Sequence, residues 1–259
     1  MKYIRILVWI LCACFVSAAW GQQPAGKCIN NWTEFHRTNM ERWNPCEKVL
    51  NVSNVKNLSL KWSYTTGSYV FPSPAVANGV VYVGSSDHNV YALNASTGAK
   101  LWSYATGSSV DSSPAVANGV VYVGSDDNNL YALNATTGAK LWSYTTGDFV
   151  ESPPTVANGV VYVGSDDGNV YALNASTGAK LWSYATGSWV ASSPAVANGV
   201  VYIASYAWSS RMYARNARTG VKRWSYKIGK LVYSSFAVAN GVVYVGGGRD
   251  GNVYAFGLK

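Results

Sequence analysis

Histidine is nearly missing from this chain of 259 residues; His36 and His88 are the two copies, which argues against a histidine-based catalytic triad. Acidic residues are also few, 12 against 20 basic ones, for a formal charge of +8. Cysteine stops at position 46, and no Cys-x-x-Cys spacing occurs, so Cys28, Cys46 and His36 make a poor zinc site and no metal site is assigned. Helical periodicity is absent from the body of the chain, so helix is not expected there. A long apolar run occurs at Ile6 to Ala19, behind Lys2 and Arg5 and ahead of Ala19-Trp20-Gly21. It reads as an export signal over 1–21, too short to favour a membrane span, with an uncleaved anchor as the alternative. Leu11-Cys12-Ala13-Cys14 could instead serve as a degenerate lipobox that leaves a lipid on Cys14. Without the signal, Lys2 and Arg5 are lost and the charge falls from +8 to +6.

What the chain has in abundance is repetition. Trp62, Trp102, Trp142 and Trp182 stand 40 residues apart, and Trp224 continues the series after a copy two residues longer. Each unit holds about four short strands. In the copy from Ser152 to Tyr184, a strand at 154–157 meets Asn158-Gly159, a pair suited to a tight hairpin, and continues in Val160 to Gly164. Asp166-Asp167-Gly168-Asn169 and Thr177-Gly178 supply the next two turns, into Val170 to Leu173 and Leu181 to Tyr184. Valine, tyrosine and tryptophan fill the strands. Repeats of this length and content predict an all-β propeller over 58–259.

Five Asn-Gly hairpins, at Asn78, Asn118, Asn158, Asn198 and Asn240, predict five blades. The fifth copy ends at Tyr254-Ala255-Phe256-Gly257 without an outer strand, whereas Leu58 to Tyr64 is an outer strand without a blade. If 58–64 pairs into the last blade, the ring closes and no inner edge stays open. A fragment of a larger ring, or a ring completed by oligomerisation, is the alternative to a closed monomer. The docking tryptophans read first as buried wedges between blades. The Asn-x-Ser/Thr sequences at Asn94, Asn134 and Asn174 match glycosylation acceptors, yet turn chemistry explains them. In the extension 22–57, Cys28 and Cys46 are expected to form a disulfide in an exported chain, worth about 3 kcal/mol in the chain-entropy model.

The unit Ala92-Leu-Asn94-Ala-Ser-Thr97-Gly98-Ala-Lys-Leu-Trp102, repeated from Ala132, Ala172 and Ala214, resembles the tryptophan-docking repeat of pyrroloquinoline quinone (PQQ) propellers. The lead-in from Trp32 through Pro45-Cys46 to Leu58 is similar to that family as well. Asn94, Asn134, Asn174 and Asn216 stand where the family pattern has Asp, and its rings usually have seven or eight blades. The resemblance implies two kinds of activity. One is a quinoprotein dehydrogenase holding PQQ and calcium and oxidising alcohols or sugars. Those enzymes use an adjacent cysteine pair that this chain lacks; Asp111 as base and Glu151 as calcium ligand have no surrounding motif. The other is a non-catalytic binding or scaffold module of the cell envelope, periplasmic or extracellular, with an envelope protein or polymer as partner and no cofactor.

Where near-identical copies differ, function is expected. The loops leading into the first strands carry Tyr69 and Phe71, then Ser109 and Asp111, Phe149 and Glu151, Trp189 and Ala191, and Leu231 and Tyr233. In a propeller these loops share one mouth with the Asp-Asp turns. Tyr69, Phe71, Asp111, Phe149, Glu151, Trp189 and Tyr233 therefore form the candidate ligand site: aromatic planes for a flat ring or sugar, carboxylates for a cation or hydroxyl donors. Free drift of solvated residues is the competing account. Asp87, Asp126, Asp127, Asp166, Asp167 and Asp250 fall on this face, and Lys100, Lys140 and Lys180 on the other. The irregular fourth copy, with Tyr206 and Trp208, precedes a basic series: Arg211, Arg215, Arg218, Lys222, Arg223, Lys227 and Lys230. That series could meet an acidic partner, anionic lipid or wall polymer, or merely confer solubility. Export disfavours nucleic acid.

Overall fold

Residues 47–258 are described by a computed structural model. The export signal, Cys14 and the Cys28–Cys46 pair lie outside the described residues. From Ala75 onward the chain is a succession of antiparallel sheets. Blade one contains β1 (Ala75–Ala77), β2 (Val80–Ser85), β3 (Asn89–Asn94) and β4 (Lys100–Ala105). Blade two contains β5 (Ala115–Ala117), β6 (Val120–Gly124), β7 (Asn129–Asn134) and β8 (Lys140–Thr145). Blade three contains β9 (Thr155–Ala157), β10 (Val160–Gly164), β11 (Asn169–Asn174) and β12 (Lys180–Ala185). Blade four contains β13 (Ala195–Ala197), β14 (Val200–Ala204), β15 (Arg211–Asn216) and β16 (Lys222–Lys227). Blade five has only β17 (Ala237–Ala239), β18 (Val242–Gly246) and β19 (Val253–Phe256).

Local chemistry sets these boundaries. Asn158 and Gly159 adopt φ of 51° and 75°, the left-handed pair that a two-residue hairpin between β9 and β10 requires. In the Asp-Asp turns the corresponding left-handed position is Gly168 (φ 84°), Asn128 (φ 70°) or His88 (φ 70°), so the turn accounts for the backbone at His88. At the third turn, Asn174 Oδ1 accepts from the backbone N–H groups of Ser176 (2.9 Å) and Thr177 (3.0 Å). The expected asparagine turn is therefore formed.

The core lies between blades. Tyr82 and Val90 of blade one pack with Val121, Val123 and Leu133 of blade two, and the same set recurs around the molecule. A Trp–Tyr pair pins each of the first three seams. Trp142 Nε1 and Tyr122 Oη both donate to Ala175 O at 3.0 Å, filling both lone pairs of one carbonyl in the next blade. Trp102 and Tyr82 share Ala135 O, and Trp182 and Tyr162 share Ala217 O, in the same way. Beneath the indole of Trp142 lies Gly178, at φ 71°, where a Cβ would come within 2.8 Å of the ring. The tryptophans at 102, 142 and 182 are thus the wedges the repeat implies. Nearer the axis, Val110, Val150 and Val190 are fully buried against Gly84, Gly124 and Gly164, which have no room for a side chain.

The junction between blades five and one differs. Residues 58–64 dock on blade one as an outer strand would: Trp62 Nε1 donates to Ala95 O (2.9 Å), and the Tyr64 ring stands 5.5 Å from that of Tyr91. They do not pair with β19, so the strand exchange expected from the sequence is half made. Val70, the counterpart of Val150, is 49% exposed, and Tyr244, the counterpart of Tyr122, is 40% exposed. Gly246 meets only Ser234 of its own copy. Trp224 is correspondingly less sheltered than its counterparts, resting on Phe256 with ring centroids 4.9 Å apart.

Candidate functional site

The lead-in loops converge on the axis. Phe71, Asp111, Pro153, Ala191 and Tyr233, one from each copy, line a common cavity of about 470 Å³ together with Ser73, Ser113, Ser193, Ser234 and Ser235. Of the candidate residues, Phe71, Asp111 and Tyr233 therefore border the cavity directly. Tyr69 pairs with Phe71, their centroids 5.5 Å apart. Trp189 lies parallel to Tyr206 at 5.9 Å, and Tyr206 contacts Tyr233 at 4.2 Å, so an aromatic strip leads away from the cavity. Phe149 and Trp189 are 43% and 50% exposed.

The acidic residues of this face divide into two sets. Asp87, Asp127 and Asp167 are clamps. Asp127 Oδ2 accepts from Gly107 N–H at the entry to its lead-in loop and from Tyr131 Oη, both at 2.6 Å, while Oδ1 accepts from Asn129 N–H. Burial opposes its charge, yet these bonds outweigh burial and hold its pKa below the ordinary value. The phenols opposite, including Tyr131, are pushed up by burial and by the adjoining carboxylate. Such aspartates fix the loops.

Asp126, Asp166 and Glu151 have no such donors. Burial, followed by the charges of Asp111 and Glu151, lifts Asp126 to about 6. Burial, then Glu151 and Asp148, lifts Asp166 to about 7. Glu151 is raised by burial and by Asp111. One oxygen each of Asp126 and Asp166 is buried without a partner. Their copy-one counterpart is Ser86, which donates its hydroxyl to Asp111 Oδ1 at 2.8 Å across the seam. Replacing that serine by aspartate substitutes a second carboxylate for a donor. The comparison of copies was available in the sequence, but the crowding of these charges across adjacent blades was not.

Two further side chains were not foreseen. Ser193 borders the cavity, is 3% exposed, and its Oγ is buried without a partner. Arg215 replaces the leucine of copies one to three and, against the expectation of a basic surface residue, is buried. Its Cζ lies 3.3 Å from the Tyr184 ring centroid and its Nε donates to Gly220 O at 2.6 Å. Burial lowers its pKa, and Nη1 has no partner.

The cavity lining presents Asp111 as its one charged side chain, with neither lysine nor arginine to meet the three carboxylates of PQQ. Among the described residues no group of three or more His, Cys, Asp or Glu side chains is arranged to hold a metal ion.

A protein-family model described as outer membrane protein assembly factor BamB matches residues 59–259. The structure superposes on BamB from Moraxella catarrhalis with a TM-score of 0.67 at 22% identity, covering 76% of this chain and 64% of that one. It superposes on a quinohemoprotein alcohol dehydrogenase from Pseudomonas putida HK5 with a TM-score of 0.74 at 25% identity, covering 88% and 48%. Lupanine 17-hydroxylase [cytochrome c] from a Pseudomonas species is 32% identical over 102 residues, 38% of this chain and 14% of that protein. The chain spans less than two thirds of each of these relatives.

Proposed function

From the premise that this chain belongs to the PQQ-like repeat family described as outer membrane protein assembly factor BamB, we propose that it is an exported, non-catalytic binding module of the cell envelope whose mouth holds the ligand. One observation carries the reading. Copies that keep the same wedges and turns differ at the loop residues that border a shared cavity. Random drift would spread differences over exposed positions of all faces. The partner class proposed is an envelope protein or polymer.

A second reading, a reduced quinoprotein binding PQQ and calcium, is favoured by the likeness to the quinohemoprotein alcohol dehydrogenase of Pseudomonas putida HK5, at 25% identity and a TM-score of 0.74. Tryptophan fluorescence of the protein, titrated with PQQ with and without calcium, separates the two. No saturable quenching is expected. Calcium-dependent quenching that saturates at micromolar PQQ would instead establish a cofactor protein, with an alcohol or sugar dehydrogenase activity then sought by dye reduction.

A further inference from the structure

We infer that the axial cavity binds an uncharged pyranose unit of a glycan, with the next sugar lying along the aromatic strip; this rests on the reading of the mouth as the ligand site. The floor supplies the first argument. Ser193 is almost wholly buried, its hydroxyl has no partner, and it borders the cavity. A buried hydroxyl left unpaired is unfavourable, and a ligand hydroxyl at the cavity wall would satisfy it once the serine side chain turns toward the cavity. Across the same cavity, Ser113 Oγ accepts from Ser73 N–H at 2.9 Å and keeps its own proton to donate. Asp111, fixed on one side by Ser86 Oγ, retains acceptor capacity for ligand hydroxyls. Hydroxyls and a carboxylate are the groups that bind a polyol.

The rim supplies the second argument. Phe71 and Tyr233 border the cavity with 69% and 56% of their surfaces exposed. From Tyr233 the strip continues through Tyr206 to Trp189. Aromatic faces pack against the C–H face of a pyranose while its hydroxyls remain free for polar partners, so flat rings beside convergent polar groups suit a sugar chain. A volume of about 470 Å³ lies within the roughly 300–1,000 Å³ of small-ligand sites.

Charge narrows the sugar. The lining has no lysine or arginine, and Glu151, Asp126 and Asp166 crowd the neighbouring loops. A uronate or phosphorylated glycan would be repelled.

Isothermal titration calorimetry of the full-length protein with cellotetraose, mannotetraose, maltotetraose and tetra-N-acetylchitotetraose tests the inference, with chitosan tetramer and oligogalacturonate as cationic and anionic arms. At least one neutral tetramer is expected to bind saturably, with little dependence on salt. Its Kd should rise at least tenfold in Ser193→Ala and in Trp189→Ala, with melting curves showing that both variants remain folded. Failure of all four neutral tetramers, or their binding unaltered by both substitutions, overturns the assignment. Salt-sensitive binding of chitosan alone would reassign the mouth to cations. The outcome is separable from the fate of the binding-module reading, because PQQ quenching sinks that reading whatever the sugars do.

Discussion

The seam between blades two and three and the junction between blades five and one are built from equivalent residues and reach different states. At the first, Val150 is sealed against Gly124, Tyr122 and Trp142 share Ala175 O, and nothing of the valine reaches solvent. At the second, Val70, Tyr244 and Gly246 are present but apart, and Ala95 O receives Trp62 alone from the same kind of pair. The difference teaches that seam residues suffice when the chain carries one blade directly into the next. The last junction must instead recruit segments some 190 residues apart, and loop closure over that length carries an entropic cost that the local seams avoid.

The comparison can be broken most forcefully at the wedges. Trp142→Ala should destabilise by about 3–5 kcal/mol, and Trp62→Ala by about half as much, because Trp62 lacks the tyrosine partner and sits on a segment paired to no strand. Denaturant unfolding of both variants measures the ratio. A sharper pair follows at the axis. Val150→Ala should cost about 2 kcal/mol, whereas Val70→Ala should cost less than about 0.5 kcal/mol with the junction open. Equal losses would mean that the junction closes in solution.

Within the seam between blades three and four, Arg215→Leu restores the residue of copies one to three and removes a buried charge. It should raise stability by about 1–2 kcal/mol, read as a higher melting temperature. The smallest effect is expected at the mouth, from Asp166→Asn. A carboxyl raised to about 7 in the folded protein is protonated with little penalty near pH 4, and its charge costs stability increasingly as pH rises toward 8. The variant should therefore gain about 1 kcal/mol at pH 8, after allowing for solvent screening, and the gain should vanish near pH 4. Melting curves across that range decide it; a gain that grows on acidification contradicts the assigned direction.

The blades could be read in the sequence because their determinants are local: Asn-Gly for the hairpin, Asn174 capping its own turn, a glycine placed under the indoles of Trp62, Trp102, Trp142 and Trp182. The docking of Trp62 was legible for the same reason, since its carbonyl partner belongs to a motif seen in every copy. The missing pairing of 58–64 with β19 was not, because strand complementarity states what could pair and leaves the path between the ends undecided. At the mouth, Phe71, Asp111 and Tyr233 were visible as differences between copies. Ser193 was hidden for the opposite reason, being one serine among similar copies whose lack of a partner depends on three-dimensional neighbours. Arg215 looked like one charge of a series, and only the fold shows it turned against Tyr184.

The near-identity of the seams has a bearing on how such a chain can change. Each of blades one to three offers its successor the same Trp–Tyr clasp and the same valine-on-glycine contact. An exchange between repeats that adds or deletes 40 residues thus leaves each surviving neighbour with a partner it already fits. The number of loops around the opening could then alter in whole steps, giving heredity a way to adjust the width of the mouth without inventing a new interface.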